Sequence, residues 1–571
     1  MVAALAAEAF LKHRPDLRWR EMRLPSLSGS EWTGLFLSFC AVLFCGWLLH
    51  THVLMPHEDG SLWVGQSTYG DLGMHLGFAE SMYRQGFFPP EYSIFPGQQL
   101  NYPFLVDAAS GSLRFFGLSL RMAVILPSLV MLLCVFWGFW LLAEKLTERL
   151  APTLMSWLLF VFNGGYGFVY FFGKYDFSQI FTGFYTTPTN LVDEDIRWVN
   201  VICDMLIPQR TTMAGWCAVI PAMFLLLCAI EKTLGDRGGR REFILLGVLA
   251  GAMPMIHTHS FLALGILSAV WFFCALPKAK REGRLKALFW NYVIYGGICF
   301  VLAGPQFFKW TMDSVETGNL LKWNLGWVVG ANGAINNWLL FFVMNVGVVF
   351  VAMVPMMFCL RGEKLGIFLG GAAIFLLSNV VAFQPNLYDN NKLLYVWYML
   401  TDILVCGWLW QIIELAESRA IRTAVAGVIL FLGTFSGFLS MGRELVSEYQ
   451  LLSGEQTRAA EFIIENTPED SVFLTATNHT NPVSVLTGRN IVCGSSLYLY
   501  WHGVNYQEVE ALLPEMYAGG EGFEKNADAL HVDYVYIGGS EYANYPVDYG
   551  YFAENYPLVY ESGGVSIFEI R

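Results

Sequence analysis

Charge is the scarcest property of this sequence. Only 14% of its 571 residues are Asp, Glu, Lys or Arg, where a soluble domain carries about a quarter. A further 55% are hydrophobic and 16% aromatic, which places the chain in a membrane. Positive charge is short as well. The formal net charge of -13 leaves no basic face, so nucleic acid is not a partner. Eleven cysteines are present, yet no CxxC or Cys/His spacing occurs, and neither a disulfide framework nor a zinc site has support. Nine of them lie in apolar runs, where a thiol acts as a small hydrophobe; only Cys203 and Cys493 lie outside. The opening "MVAALAAEAFLKHRPDLRWREMRLPS" has no long apolar h-region, which excludes a secretory signal peptide. It reads as a cytoplasmic segment with the make-up of a surface-lying amphipathic helix. GxGxxG, GxxxxGK[ST], fixed-period repeats and low-complexity tracts are all missing, so a nucleotide-binding fold has no support.

What the chain does have is apolar runs of about the 20 residues that a span requires. Eleven occur, near 32–54, 119–143, 152–172, 214–231, 243–257, 260–276, 287–308, 338–360, 366–382, 393–413 and 421–441. With the N-terminus in the cytoplasm and sides alternating, 20 Lys and Arg fall inside, 9 in outer loops and 5 in the C-terminal region. Every strongly basic loop, such as "EKTLGDRGGRR" and "PKAKREGRLK", lies on one side, as the positive-inside rule demands. The chain therefore divides into a cytoplasmic segment 1–30, a transmembrane domain 31–445 with long outer loops 55–118 and 173–213, and a soluble domain 446–571. In the last, "TRAAEFIIENTPED" and "QEVEALLPEMYAG" read as helices, and "SVFLTA", "VDYVYIGG" and "GVSIFEI" as strands. The expected fold is a polytopic α-helical membrane protein of about eleven transmembrane helices, closed by a small extracytoplasmic α/β domain in a multi-pass protein of the cell membrane.

Polar residues able to do chemistry collect in the outer loops. In "YGDLGMHLGFAESMYRQG" a helix is expected over 71–85, with Asp71 and His75 one turn apart on one face. Leu72, Leu76 and Ala79 share a neighbouring apolar face, which lays the helix along the membrane surface. Asp71 has a purely structural reading too: Thr68 and Asp71 fit a capping box. Arg84 is spaced for an ion pair with Glu80. Arg210 stands just before a span, where an arginine commonly snorkels to the interface. In "YDNNKLLYVWY", Lys392 runs against the positive-inside bias beside Asp389, which suggests an anionic ligand. Glu58 and Asp59 are further outer-side acids. His257 and His259 in "MPMIHTHSF" form a pair without a third metal ligand.

In layout and in these segments the chain resembles the GT-C glycosyltransferases, polytopic enzymes that use polyprenyl-phosphate-linked sugars. Protein O-mannosyltransferases, aminoarabinose transferases and oligosaccharyltransferase catalytic subunits belong to them. "YGDLGMHLGFAESMYRQGFFPPEY", "FPGQQLNYPF", "LIPQR", "YDNNKLLYVWY" and "YLYWHGVNYQEVE" carry the likeness. The WWD-type signature of oligosaccharyltransferases is missing, which sets that subgroup and its bound metal aside. The resemblance implies transfer of a hexosyl or pentosyl unit from a polyprenyl-phosphate donor, by an inverting, metal-independent route, to a glycan, lipid or protein acceptor on the extracytoplasmic face. It places the acceptor-activating base on Asp71, with His75 tuning it, and Glu58, Asp59 and Asp389 as runner-up acids. Arg210, Lys392 and Arg84 are the expected cations for the donor phosphate, and Arg489 and His502 are edge residues of the outer domain. No DxD or ligand cluster calls for a divalent metal, and no cofactor is expected. The competing reading is a polytopic transporter or flippase of a lipid-linked or polar solute, which would hold charged groups inside its spans.

Overall fold

A computed structural model describes residues 26–311 and 321–571; most of the N-terminal segment and part of the 309–337 loop lie outside them. Helices occupy each of the eleven apolar segments. Among the described residues seven are long and apolar enough to cross a membrane, and one further apolar segment is a pair of helices, Trp338–Val346 and Val348–Cys359, bent by 113° at Gly347. The expected polytopic helical membrane architecture is thus present, with shorter helices in three of the eleven segments. Leu150–Val161 and Arg240–Gly251 have only 12 residues each and Gly362–Ser378 has 17. At 1.5 Å per residue a 12-residue helix rises about 18 Å, well under the hydrocarbon thickness. Sequence windows overran because the apolar runs continue past the helix ends into buried turns such as Phe162–Tyr166.

The bundle has two chemically different ends. At one, the basic loops are stitched together by ion pairs between Lys145 and Glu231 (2.9 Å), Lys232 and Glu242 (2.6 Å), and Arg149 and Glu414. At the other, the first and last spans are joined by His52 and Glu444, both fully buried and 3.0 Å apart. The chain then enters a three-stranded sheet in which Leu62–Val64 pairs with both Met55–Pro56 and Tyr449–Leu452.

The C-terminal region holds a five-stranded sheet, in spatial order Asn490–Ile491, Val472–Leu474, Tyr534–Ile537, Val565–Glu569 and Leu558–Ser562. The first three are parallel and the last two antiparallel, with the helix Gly454–Asn466 capped by Ser453 and Gln456. Its core is continuous with the loop after the first span: Met74, Phe78, Tyr92 and Phe104 share one cluster with Phe473, Val535 and Ile567.

The helix Leu72–Gln85 is therefore not a surface helix, and that expectation is corrected. Residues 72–81 are buried on every side. Gly73 and Gly77 open its second face, so the segment Val483–Thr487 of the C-terminal region lies directly against it. A Cβ at Gly77 would fall 2.2 Å from the Ser484 carbonyl oxygen. Gly77→Ala is expected to destabilise the protein by about 1–3 kcal/mol, the usual cost of overpacking. A thermal midpoint equal to wild type would show that the two parts do not meet there.

Candidate active site

At the start of this helix Thr68 and Asp71 do not form a capping box. The Thr68 hydroxyl donates to the His52 carbonyl (2.7 Å) and accepts from the Gly65 amide. Asp71 is already in helical conformation, and its side chain makes no capping hydrogen bond. The Asp71 carboxylate is exposed and lines a cavity of about 350 Å³ at the His52–Glu444 end of the bundle. Three parts of the chain close that cavity. Asn101 and Tyr102 come from the loop after the helix, His257 and His259 from the start of the bundle helix Thr258–Arg281, and the segment Gln384–Lys392 from the mouth of another. The C-terminal region supplies the fourth wall through Tyr498, Trp501 and His502. The Tyr498 hydroxyl donates to the Gly70 carbonyl (2.7 Å), pinning that wall to the residue before Asp71.

Among the described residues Lys392 is the only Lys or Arg lining the cavity. Its ammonium donates to Asp389 Oδ2 (3.0 Å), and Gln384 donates to the same carboxylate. Lys392 is 12% exposed, so one partner and the cavity share its charge. The His502 ring stacks on Tyr102 with centroids 4.3 Å apart. Burial, then His75 and Lys392, push the His502 imidazole down to about 3, which keeps it neutral at physiological pH. Burial, followed by the negative charge of Asp71, raises the Tyr102 and Tyr498 phenols. Both therefore remain hydroxyl donors.

The other expected site residues lie elsewhere. His75 Nδ1 meets Asp107 Oδ2 at 2.8 Å, and Asp107 Oδ1 accepts from Arg210 Nη1 at 2.9 Å. Arg210 also donates to Ser110, and its side chain is 3% exposed. Its charge is thus spent on a buried carboxylate behind the cavity, so it is no snorkelling interfacial residue. Arg84 joins Arg114 on Glu80, each at 2.8 Å, beside a different pocket. Glu58 and Asp59 are exposed and outside the cavity; Asp59 accepts from the Ser61 amide (3.0 Å). Arg489 is buried, donating to the carbonyls of Ile464 and Thr467. The structure thus brings together Asp71, Asp389, Lys392 and His502 and separates the rest. Asp107, the centre of the buried chain, carried no local signal, because its partners are 32 and 103 residues away in sequence. Among the described residues no three His, Cys, Asp or Glu are grouped to hold a metal ion.

No family model and no curated protein matches the sequence. Solved structures do match its fold. The archaeal oligosaccharyltransferase AglB from Archaeoglobus fulgidus, in complex with an inhibitory peptide and a dolichol-phosphate, superposes with a TM-score of 0.53 at 11% identity, covering 89% of this chain and 69% of that one. The apo form of the Archaeoglobus fulgidus oligosaccharyltransferase gives 0.55 at 11% identity, over 91% and 70%. ArnT from Cupriavidus metallidurans, bound to undecaprenyl phosphate, gives 0.51 at 11% identity, over 95% and 98%. The chain shares the overall membrane fold of these three structures.

Proposed function

We propose that this chain is an integral-membrane glycosyltransferase that moves a sugar from a polyprenyl-phosphate donor to an acceptor hydroxyl. The observation that carries the reading is an uncapped carboxylate, Asp71, sharing one cavity with a single lysine, Lys392, at one end of the bundle. Asp71 takes the proton of the acceptor hydroxyl as its oxygen attacks the anomeric carbon. The bond to the lipid phosphate breaks on the opposite side of that carbon, so the product is inverted. The departing phosphate carries new negative charge, which Lys392 meets by a charge-assisted hydrogen bond. Asp389 and Gln384 aim the lysine, while the neutral His502 and the Tyr102 hydroxyl are left for the sugar. Two of the fold neighbours are complexes with dolichol-phosphate and undecaprenyl phosphate, which supports this class of donor. His75, Asp107 and Arg210 hold the wall of the site from behind. The basic loops at the opposite end of the bundle support an extracytoplasmic cavity through the positive-inside rule.

A transporter would route solute past charged groups within the bundle. Asp402 is a fully buried carboxylate in the span Asn391–Ile413, but it accepts from Ser156 (2.7 Å) and is not part of the Asp71 cavity. The reading is tested first at the phosphate. Lys392→Met is expected to weaken undecaprenyl phosphate binding about 10–100-fold, from the 1.5–3 kcal/mol of a hydrogen bond to a charged group. The measurement is a Kd on protein in nanodiscs, and a Kd unchanged from wild type would remove Lys392 from the phosphate site.

A further inference from the structure

The C-terminal sheet has a second crevice of about 310 Å³, the size of a small-ligand pocket. Its position follows from topology. From Val472–Leu474 the chain goes to Asn490–Ile491 on one side and afterwards to Tyr534–Ile537 on the other. Open α/β sheets bind ligands at the carboxyl ends of the strands where the order reverses in this way. Asn478 and Pro482, after the first strand, and Gly539, Ser540 and Glu541, after the third, line the crevice, and the Gly563–Gly564 turn closes it.

The chemistry of the lining selects the ligand. At such a switch point, free backbone amides commonly receive an anion. Here Glu541 supplies that anion internally, accepting from the amides of Ala476 (2.8 Å) and Gly538 (2.9 Å). A second carboxylate, Glu455, lines the rim, and no Lys or Arg among the described residues does. A phosphate or carboxylate would therefore find no cation among the lining residues. What remains open is hydroxyl chemistry. Tyr536, 2% exposed, lines the crevice, and its hydroxyl has no hydrogen-bond partner. Ser540 Oγ accepts only from the side-chain amide Nδ2 of Asn478 at 3.3 Å, leaving its proton free. A buried donor without a partner is costly unless a ligand satisfies it. One loop also links the crevice to the start of the helix that carries Asp71. The loop that walls it through Asn478 packs the next residue, His479, against Tyr69, with ring centroids 5.3 Å apart, two residues before Asp71.

We propose that this crevice binds an uncharged, hydroxyl-rich saccharide unit; resting on the transferase reading above, that unit belongs to the acceptor, held by the C-terminal domain while its reacting hydroxyl reaches Asp71. Gly539→Trp tests this, since a Cβ at Gly539 meets nothing within 4 Å and the indole fills the crevice without disturbing the sheet. Saturation-transfer NMR on the full chain in nanodiscs would use cellobiose and mannobiose, a glucuronic-acid disaccharide and a Ser/Thr tetrapeptide as probes. A neutral disaccharide is expected to bind wild type and Asp71→Asn alike and at least tenfold more weakly to Gly539→Trp. Three results would overturn the site: neutral disaccharide binding indifferent to Gly539→Trp, no neutral disaccharide binding at millimolar concentration, or a preference for the anionic sugar or the peptide. If wild type binds neutral sugar in the crevice but turns over no lipid-linked donor, the saccharide site stands and only its assignment to an acceptor falls.

Discussion

Asp71→Asn is expected to lower the kcat of sugar transfer about 10²–10⁴-fold, the usual contribution of a positioned general base, while leaving the protein folded. The two side chains have nearly the same shape, and only the carboxylate can accept the acceptor's proton. The fold is insensitive to the change because the Asp71 side chain caps nothing. The Tyr498 bond that pins the facing wall ends on the Gly70 carbonyl, not on Asp71. Thermal midpoint and donor Kd should therefore match wild type while turnover is lost. Transfer at the wild-type rate would remove Asp71 from the chemistry. A lowered midpoint with proportional loss of activity would make it a structural residue.

Arg210→Met should do the opposite and unfold the protein more than it changes binding. Removing one partner of a buried ion pair costs about 3–5 kcal/mol, because the other charge is left unpaired in a low-dielectric site. Asp107 is fully buried, and its remaining partner would be His75 alone. A large fall in thermal midpoint is expected, with the Kd for undecaprenyl phosphate unchanged in the fraction that stays folded. Asp107→Asn combined with Arg210→Met should cost less than the sum of the two single changes, since residues in one network couple. Strict additivity, or a loss of lipid binding without loss of stability, would return Arg210 to the phosphate site.

Arg210 also shows where a sequence stops being legible. An arginine just before a span looks the same whether it serves a headgroup or a carboxylate buried behind it. The distinction lies in Asp107, brought close by tertiary packing alone. Thr68 and Asp71 show the same limit locally. Their spacing suits a cap, but the Thr68 hydroxyl oxygen accepts from the Gly65 amide instead, with its proton given to the His52 carbonyl at the end of the first span. Lys392 was legible because one cation breaking a charge bias stands out against the Lys- and Arg-poor outer loops. His502 was legible only as an edge residue, since its neighbour Tyr102 is 400 positions earlier. Apolar patterning located helices in all eleven segments and the longer strands Tyr534–Ile537 and Val565–Glu569. It could not locate the two-residue strand Asn490–Ile491, which is too short to show alternation. Nor could it show that Gly73 and Gly77 mark the contact with the C-terminal region, because glycine has no side chain to set a period.

The proposed reaction is the splitting of a lipid-linked sugar by Asp71 and Lys392 together. Its most direct measurement is mass spectrometry and NMR of the products from nanodiscs holding purified protein, polyprenyl-phosphate hexose and pentose donors, and glycan, lipid and hydroxyl-peptide acceptors, with wild type and Asp71→Asn in parallel. Wild type should convert at least one donor to free polyprenyl phosphate and a glycosylated product of inverted anomeric configuration, and Asp71→Asn should leave every donor intact. Equal conversion by both proteins, or donors untouched by wild type while it moves solute across vesicles, would contradict the account.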